Sequence, residues 1–201
     1  YSDAADALDA LGTRFGIPFT ETQAGKGALP WDHPLNMGAI GSTGTSAGNA
    51  VAHDADVVIA LGTRLSDFPT MSWSAWQDPG VTFISINVAE LDAGKAAAIP
   101  LLGDARATLE ELHAALTDRG WTGAAPDRLE RIERLRGEWN EEVDRVLHLA
   151  SAEHVSQPEA IRLVNEAAGS DGTVVCAAGG LPGDLHKTWR ATGPGSYHME
   201  Y

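Results

Sequence analysis

The run DADVVIALG, residues 54–62, decides the fold. Residues 57–61 are apolar without interruption and a glycine closes the run, the pattern of a strand buried on both faces. Strands of that kind belong to parallel sheets, whose crossovers lay helices over both faces. Working outward, TFISINV (82–88) reads as a second strand and IPLLGD (99–104) as a shorter third. A short helix is expected between them at 89–96, and LEELHAAL carries a helix that ends near Thr117. Upstream, residues 45–54 read as a helix and IPFT (17–20) as a strand. Residues 2–15 put Ala4, Ala7, Leu8 and Leu11 on one helical face, with Gly12 and Gly16 near its end. This alternation predicts an α/β fold with a doubly wound parallel sheet. Such a pattern should open on a strand, whereas this one opens on a helix, so a strand before Tyr1 in a longer parent protein is expected.

Residues 21–45, ETQAGKGALPWDHPLNMGAIGSTGT, hold five glycines and two prolines and read as a specified loop, too interrupted for a helix or a long strand. A loop of this length inside a compact domain is functional or an interface element. Gly38, Gly41 and Gly44 recur every third residue before a helix start, where free N–H groups can face an anion or a neighbouring backbone. The dinucleotide fingerprint is G-x-G-x-x-G packed between strand and helix, and this spacing differs from it. Packing of loop on loop is therefore preferred to phosphate binding. Lys26, flanked by glycines, invites a phosphate reading, and an exposed loop lysine is the preferred one.

The 201 residues are 43% hydrophobic, an ordinary globular composition, and 14 basic against 28 acidic residues give a net charge of −14. That surplus opposes nonspecific binding to nucleic acid or to an anionic membrane. No apolar run is long enough to span a bilayer, and no secretory leader opens the chain, which starts on Tyr1 rather than Met. A cytoplasmic protein is the expectation. The single cysteine, Cys176, excludes a disulfide framework and sits at a strand end with no histidine at a defined spacing, so it reads as inert. His33 with Asp32 and His53 with Asp54 lack a third ligand, so no metal site is assigned. Trp73 and Trp76 read as packing of a loop onto the domain surface.

Downstream, RGWTGAAP (119–126) is a linker by composition. Residues 127–148 form a charged helix with Leu129, Ile132, Leu135, Trp139, Val143 and Val146 at helical spacing, read as a connecting helix laid across the first domain. A new unit is expected after Ser151: Ser156 caps a helix, 173–176 is a buried strand, and AAGGLPGDLHKTWR is a Gly-rich turn entering a helix. Strand, Gly-rich turn and helix start together make a geometry that receives phosphate. The chain is expected to stop before this unit can have a sheet of its own.

Several strings, GIPFTET, GKG, GAIGSTGT, ADVVIALGTRLSD and LLGDAR, resemble the thiamine-diphosphate enzymes of the acetolactate synthase type. The resemblance implies a Rossmann-like central domain over 1–118 without its first strand, a linker helix over 119–155, and at 156–201 the truncated start of the C-terminal cofactor domain. The longer strings QAGKGALPWDHP, GTRLSDFPTMSW, LDAGK and AAGGLPGDLHKTWR with YHMEY resemble the branch that hydrolyses a carbon–carbon bond of a cyclic polyol dione in myo-inositol catabolism. In such enzymes the thiamine ring is the electron sink while the bond breaks, and Mg²⁺ anchors the diphosphate. The glutamate that meets the pyrimidine and the GDG-and-Asn metal motif both belong to parts outside these residues, so no catalytic or metal residue is assigned and no cofactor is expected on this piece alone, which would be inactive.

The resemblance places Gly183, Asp184, Leu185 and His186 beside the cofactor diphosphate, one residue longer than the GQH of relatives. That leaves Asp184 or Leu185 for the cofactor-side place, and the alternative for His186 is a surface residue of the helix. Met199 and Glu200 fall near the pyrimidine, with packing the alternative for Met199. Some relatives hold FAD or ADP in the central domain, where Gly41, Gly44 and Arg64 fall at strand carboxyl ends. Arg64 as a phosphate fork competes with a salt bridge to Asp67 or Asp104, which is preferred. A free-standing nucleotide module and a purely structural subunit-interface domain are the alternative functions. The resemblance also implies a homo-oligomer and a small-molecule substrate.

Overall fold

The computed structural model describes residues 2–149 and 154–200. The chain begins with helix α1 (Ala5–Phe15), whose left-handed C-cap at Gly16 turns it into strand β1 (Phe19–Glu21). Strand β2 (Asn36–Ala39) pairs parallel with β1, and helix α2 (Ser46–His53) follows, capped by Thr45 Oγ1, which accepts from Gly48 N–H at 2.8 Å. The run that decided the fold is β3 (Val57–Leu61). It is followed by a single turn α3 (Asp67–Thr70), β4 (Thr82–Asn87), the short α4 (Glu90–Ala93), β5 (Ile99–Leu102) and α5 (Ala105–Asp118). Asp104 caps α5 by accepting from Ala107 N–H at 3.1 Å.

The strand pairs are parallel, in the order β1–β2, β3–β4–β5 and, near the end of the chain, β6 (Val174–Cys176)–β7 (Tyr197–Met199). Two helices tie the first two groups together. On one side α1 packs Ala7, Leu11 and Phe15 against Ile86 of β4 and Leu109 of α5. On the other, α2 sends Ala47 and Val51 to Leu35 and Met37 beside and within β2, while its Ala52 joins Ala60 of β3 and Trp76. Helices on both faces of parallel strands make this an α/β, Rossmann-like architecture.

Helix α6 (Pro126–Leu147) lies against α2 and β2, burying Ile132 in the same cluster as Met37 and Val51. The turn before it is pinned by Trp121, which stacks on Phe15 at 5.0 Å. The last elements are α7 (Gln157–Ala168), β6 (Val174–Cys176), α8 (Gly180–Thr188) and β7 (Tyr197–Met199), with Ser156 Oγ capping α7. Their own core is Ile161, Cys176, Leu185, Trp189, Ala191 and Tyr197.

Several expectations change here. The 21–45 stretch contains a strand, β2, whose glycine and short length hide its period of two. The helix expected over 89–96 breaks after Ala93 into a separate tight turn, because Ala96 and Ala97 take left-handed backbone angles. Val57 and Val175 are 51% and 60% exposed, so neither β3 nor β6 is covered throughout. The final unit does have a sheet, formed by parallel β6 and β7, because the return from α8 brings residues 197–199 beside 174–176. The unit boundary expected after Ser151 lies outside the described residues.

Gly41 shows why the loop before α2 cannot carry another residue. Its φ is +95°, and a Cβ there would lie 2.1 Å from Phe68 O. Gly41→Ala is expected to lower the unfolding free energy by about 2 kcal/mol or more, read by urea denaturation. A loss below about 0.5 kcal/mol would mean that the Phe68 turn yields freely.

Candidate functional site

The junction between the β1–β2 segment and α8 gathers three buried titratable side chains, Glu21, Lys26 and His186. His186 on α8 is 1% exposed. Its Nε2 lies 3.0 Å from Glu21 O, and its Nδ1 lies 2.9 Å from Thr43 Oγ1. A carbonyl oxygen only accepts, so Nε2 carries the proton and the neutral ring's Nδ1 accepts from the Thr43 hydroxyl. Burial, helped by the nearby Lys26 charge, pushes the His186 pKa down to about 4, which keeps the ring neutral in that tautomer. Gln23 Nε2 adds a second tie by donating to Pro182 O at 3.0 Å.

Beside it lie Glu21 and Lys26, 4% and 7% exposed. Glu21 Oε1 accepts from Gly27 N–H at 2.9 Å, and Ala28 N–H and the Asn36 side chain also stabilise the carboxylate. Desolvation nevertheless raises the Glu21 pKa and lowers that of Lys26, while each charge partly offsets the penalty on the other. Lys26 Nζ stands 5.9 Å from the ring centre of Tyr197 on β7. Burial, with the hydrogen bond from Cys176 Sγ at 3.2 Å, raises the Tyr197 pKa and keeps its hydroxyl protonated. Trp31 completes the junction: Arg190 stacks on its ring at 4.3 Å, and its N–H donates to Ala191 O at 2.9 Å.

Of the residues singled out from sequence, the structure brings Gly41, Gly44 and 183–186 around Thr43. A Cβ on Gly183 would lie 3.2 Å from Thr43 Cγ2. Leu185 is buried in the α7–α8 core, and Asp184 accepts from Gln157 Nε2. His186 is not a surface residue of its helix, and both ring nitrogens are engaged inside the protein. The Gly41–Gly44 turn closes on itself, with Gly44 N–H donating to Gly41 O at 2.8 Å and Asn49 bonded to both N–H and C=O of Gly41. Met199 half-packs on the Cys176 core, and Glu200 is exposed with its carboxylate 3.2 Å from His198 Nε2. Arg64 lies apart from all of these. It is 84% exposed and faces Asp92 at 3.9 Å rather than Asp67 or Asp104, since those two occupy helix starts.

Two residues central to the junction read differently in the sequence. Glu21 read as the first residue of the 21–45 loop, and Lys26 as an exposed loop lysine in preference to a phosphate ligand. Lys26 is buried because β7 and α8 cover the loop, and the flanking glycines of GKG are the one local sign of close packing. Trp73 and Trp76 pack on Phe83, at 6.1 and 5.0 Å, as expected of a surface loop. Among the described residues no group of three His, Cys, Asp or Glu could hold a metal ion, and no helix is long and apolar enough to cross a membrane.

One surface suits a diphosphate. Residues 177–180 are exposed at the carboxyl end of β6 and run into α8, whose first turn has no side-chain cap; a Cβ on Gly180 would meet nothing within 4 Å. Free backbone N–H groups at a helix start, open to close approach, fit such a group. The side chains of Leu185 and His186 do not reach that surface, being held in the core and the junction.

The fold and this junction define a parallel α/β domain onto which a second, glycine-turned α/β piece is docked. The model of the thiamine pyrophosphate enzyme central domain matches residues 1–112, and the chain belongs to that family. Among its relatives, the 3D-(3,5/4)-trihydroxycyclohexane-1,2-dione hydrolase of Clostridium perfringens (strain 13) is 38% identical over 224 aligned residues. Those of Halalkalibacterium halodurans and Clostridium tetani are 37% and 35% identical. Each alignment covers 100% of this chain but only 34–35% of the relative, so the chain spans about a third of their length.

Proposed function

We propose that this chain is the central part, with the opening of the cofactor domain, of a thiamine-diphosphate-dependent hydrolase that opens a cyclic polyol dione. The observation that carries the reading is identity of 34–38% along the entire chain to relatives bearing that name. The division proposed is 1–118 for the central domain, 119–155 for the connecting helix and 156–201 for the start of the cofactor domain. When bound, thiamine diphosphate supplies an electron sink for carbon–carbon cleavage. The chain's own contribution is placement. Residues 177–180 would receive the diphosphate on backbone N–H groups, with Met199 and Glu200 at the neighbouring strand end. His186, held neutral between Glu21 O and Thr43, fixes the register of α8 against the central domain, so that 183–186 act by positioning. Mg²⁺ at the diphosphate, assembly as a homo-oligomer and a cytoplasmic location complete the proposal.

The full-length protein should hydrolyse the cyclic dione to a ring-opened acid only when thiamine diphosphate and Mg²⁺ are supplied. Turnover without thiamine would remove the reading. One observation favours a second ligand class as well. A cavity of about 570 Å³ lies at the carboxyl ends of β3–β5 under α1, lined by Leu8, Leu61, Gly62, Asn87 and Gly103. That volume and place suit a nucleotide. Calorimetry with FAD, ADP and NAD tests it, and an absence of heat with all three would leave the central domain as a structural element.

A further inference from the structure

We propose that the small cavity between the β1–β2 segment, α6 and α8 is a binding site for an inorganic monoanion of about chloride size, held by Lys26 and Arg190. Its volume is about 40 Å³, room for roughly three water-sized particles. Three cationic side chains line it, Lys26, Lys187 and Arg190, against one carboxylate, Glu21; Asn36 and Asn140 add amide groups.

The hydrogen bonding is lopsided. The Glu21 carboxylate is already served by Gly27 and Ala28 N–H and by the Asn36 side chain. The Lys26 ammonium lies 5.9 Å from the Tyr197 ring centre and in the field of the Glu21 carboxylate, with no ion pair joining the two among the described residues. Arg190 spends Nη2 on Asp144, yet its Nε is buried with no acceptor. An unsatisfied buried charged donor such as Arg190 Nε is costly if left bare. Something in the cavity must therefore accept. Water accepts but also has two protons to place, and the lining sets three cationic side chains against the oxygens of Glu21, Asn36, Asn140 and Thr188. An anion accepts from every side and needs no acceptor, so the chemistry of the lining selects it. The tryptophans Trp31 and Trp139 add apolar surface to the lining, which strengthens the attraction.

The site is independent of the thiamine reading and is tested on the intact protein. Crystals grown with bromide in place of chloride at millimolar concentration should show an anomalous peak within hydrogen-bond reach of Lys26 Nζ. Melting temperature titrated with chloride against gluconate at fixed ionic strength should rise saturably, by about 4 °C at ten times the dissociation constant. Arg190→Gln should weaken that dependence at least tenfold, and Lys26→Met should abolish it. Should Lys26→Met fail to fold, the bromide peak and the wild-type titration still decide. Density that refines as water, a melting temperature indifferent to the anion, or a bromide peak only at molar concentration overturns the proposal.

Discussion

Glu21→Gln is expected to lower the unfolding free energy by about 3–5 kcal/mol, more than almost any other single change here. The carboxylate is buried among Gly27 N–H, Ala28 N–H and Asn36, and it is the one anion facing the buried Lys26 ammonium. An amide in its place turns an NH₂ group toward donors and leaves the ammonium without a counter-charge. Lys26→Met should cost less, because the remaining carboxylate keeps its three donors and can protonate, its pKa being raised already by burial. The double variant should lose well under the sum of the two single losses, with a coupling of about 1–3 kcal/mol. Additive losses in a denaturant series would show that the two charges do not sense each other.

The second large effect is acid destabilisation through His186. Its folded pKa of about 4 lies below the ordinary value of 6.5, so the unfolded chain takes up the proton first. The stability it contributes is complete above pH 6.5 and is lost as pH falls toward 4, on the order of 3 kcal/mol in all. Protonation would put a hydrogen on Nδ1, where the ring now accepts from Thr43, and would set a charge beside Lys26. Glu21 acts with the opposite sign. Its raised pKa stabilises the fold below 4.5 and loses that contribution as pH rises through the folded value, so the two must be separated. The comparison is between wild type and His186→Gln, whose amide can still donate to Glu21 O. Between pH 6.5 and 4 the variant should show a much shallower fall in stability than wild type. Parallel pH profiles for the two proteins would mean that His186 is not the titrating group.

Much of this was visible in the sequence because the deciding signals are local. The apolar run 57–61 is β3 residue for residue, and Ser156 caps the helix that follows it, as read from the sequence. Caps and strand runs depend on neighbours within a few residues, so they can be read without knowing the partner elements. The family resemblance rested on long strings for the same reason, and the match over residues 1–112 agrees with it. β2 escaped because four residues with an internal glycine carry too little alternation to stand out.

The polar junction was not legible, since each of its groups reads as ordinary in isolation. Glu21 opens the 21–45 loop, Lys26 sits between two of its glycines, and His186 lies 165 residues along the chain from Glu21. By itself the sequence determined the alternation of strands and helices, the Ser156 cap, the glycine-rich loop before α2 and the acidic balance. Only the tertiary structure decided that α8 and β7 close over the GKG loop. That closure removes water from three titratable side chains at once, and desolvation is a property of the assembled surroundings rather than of any residue.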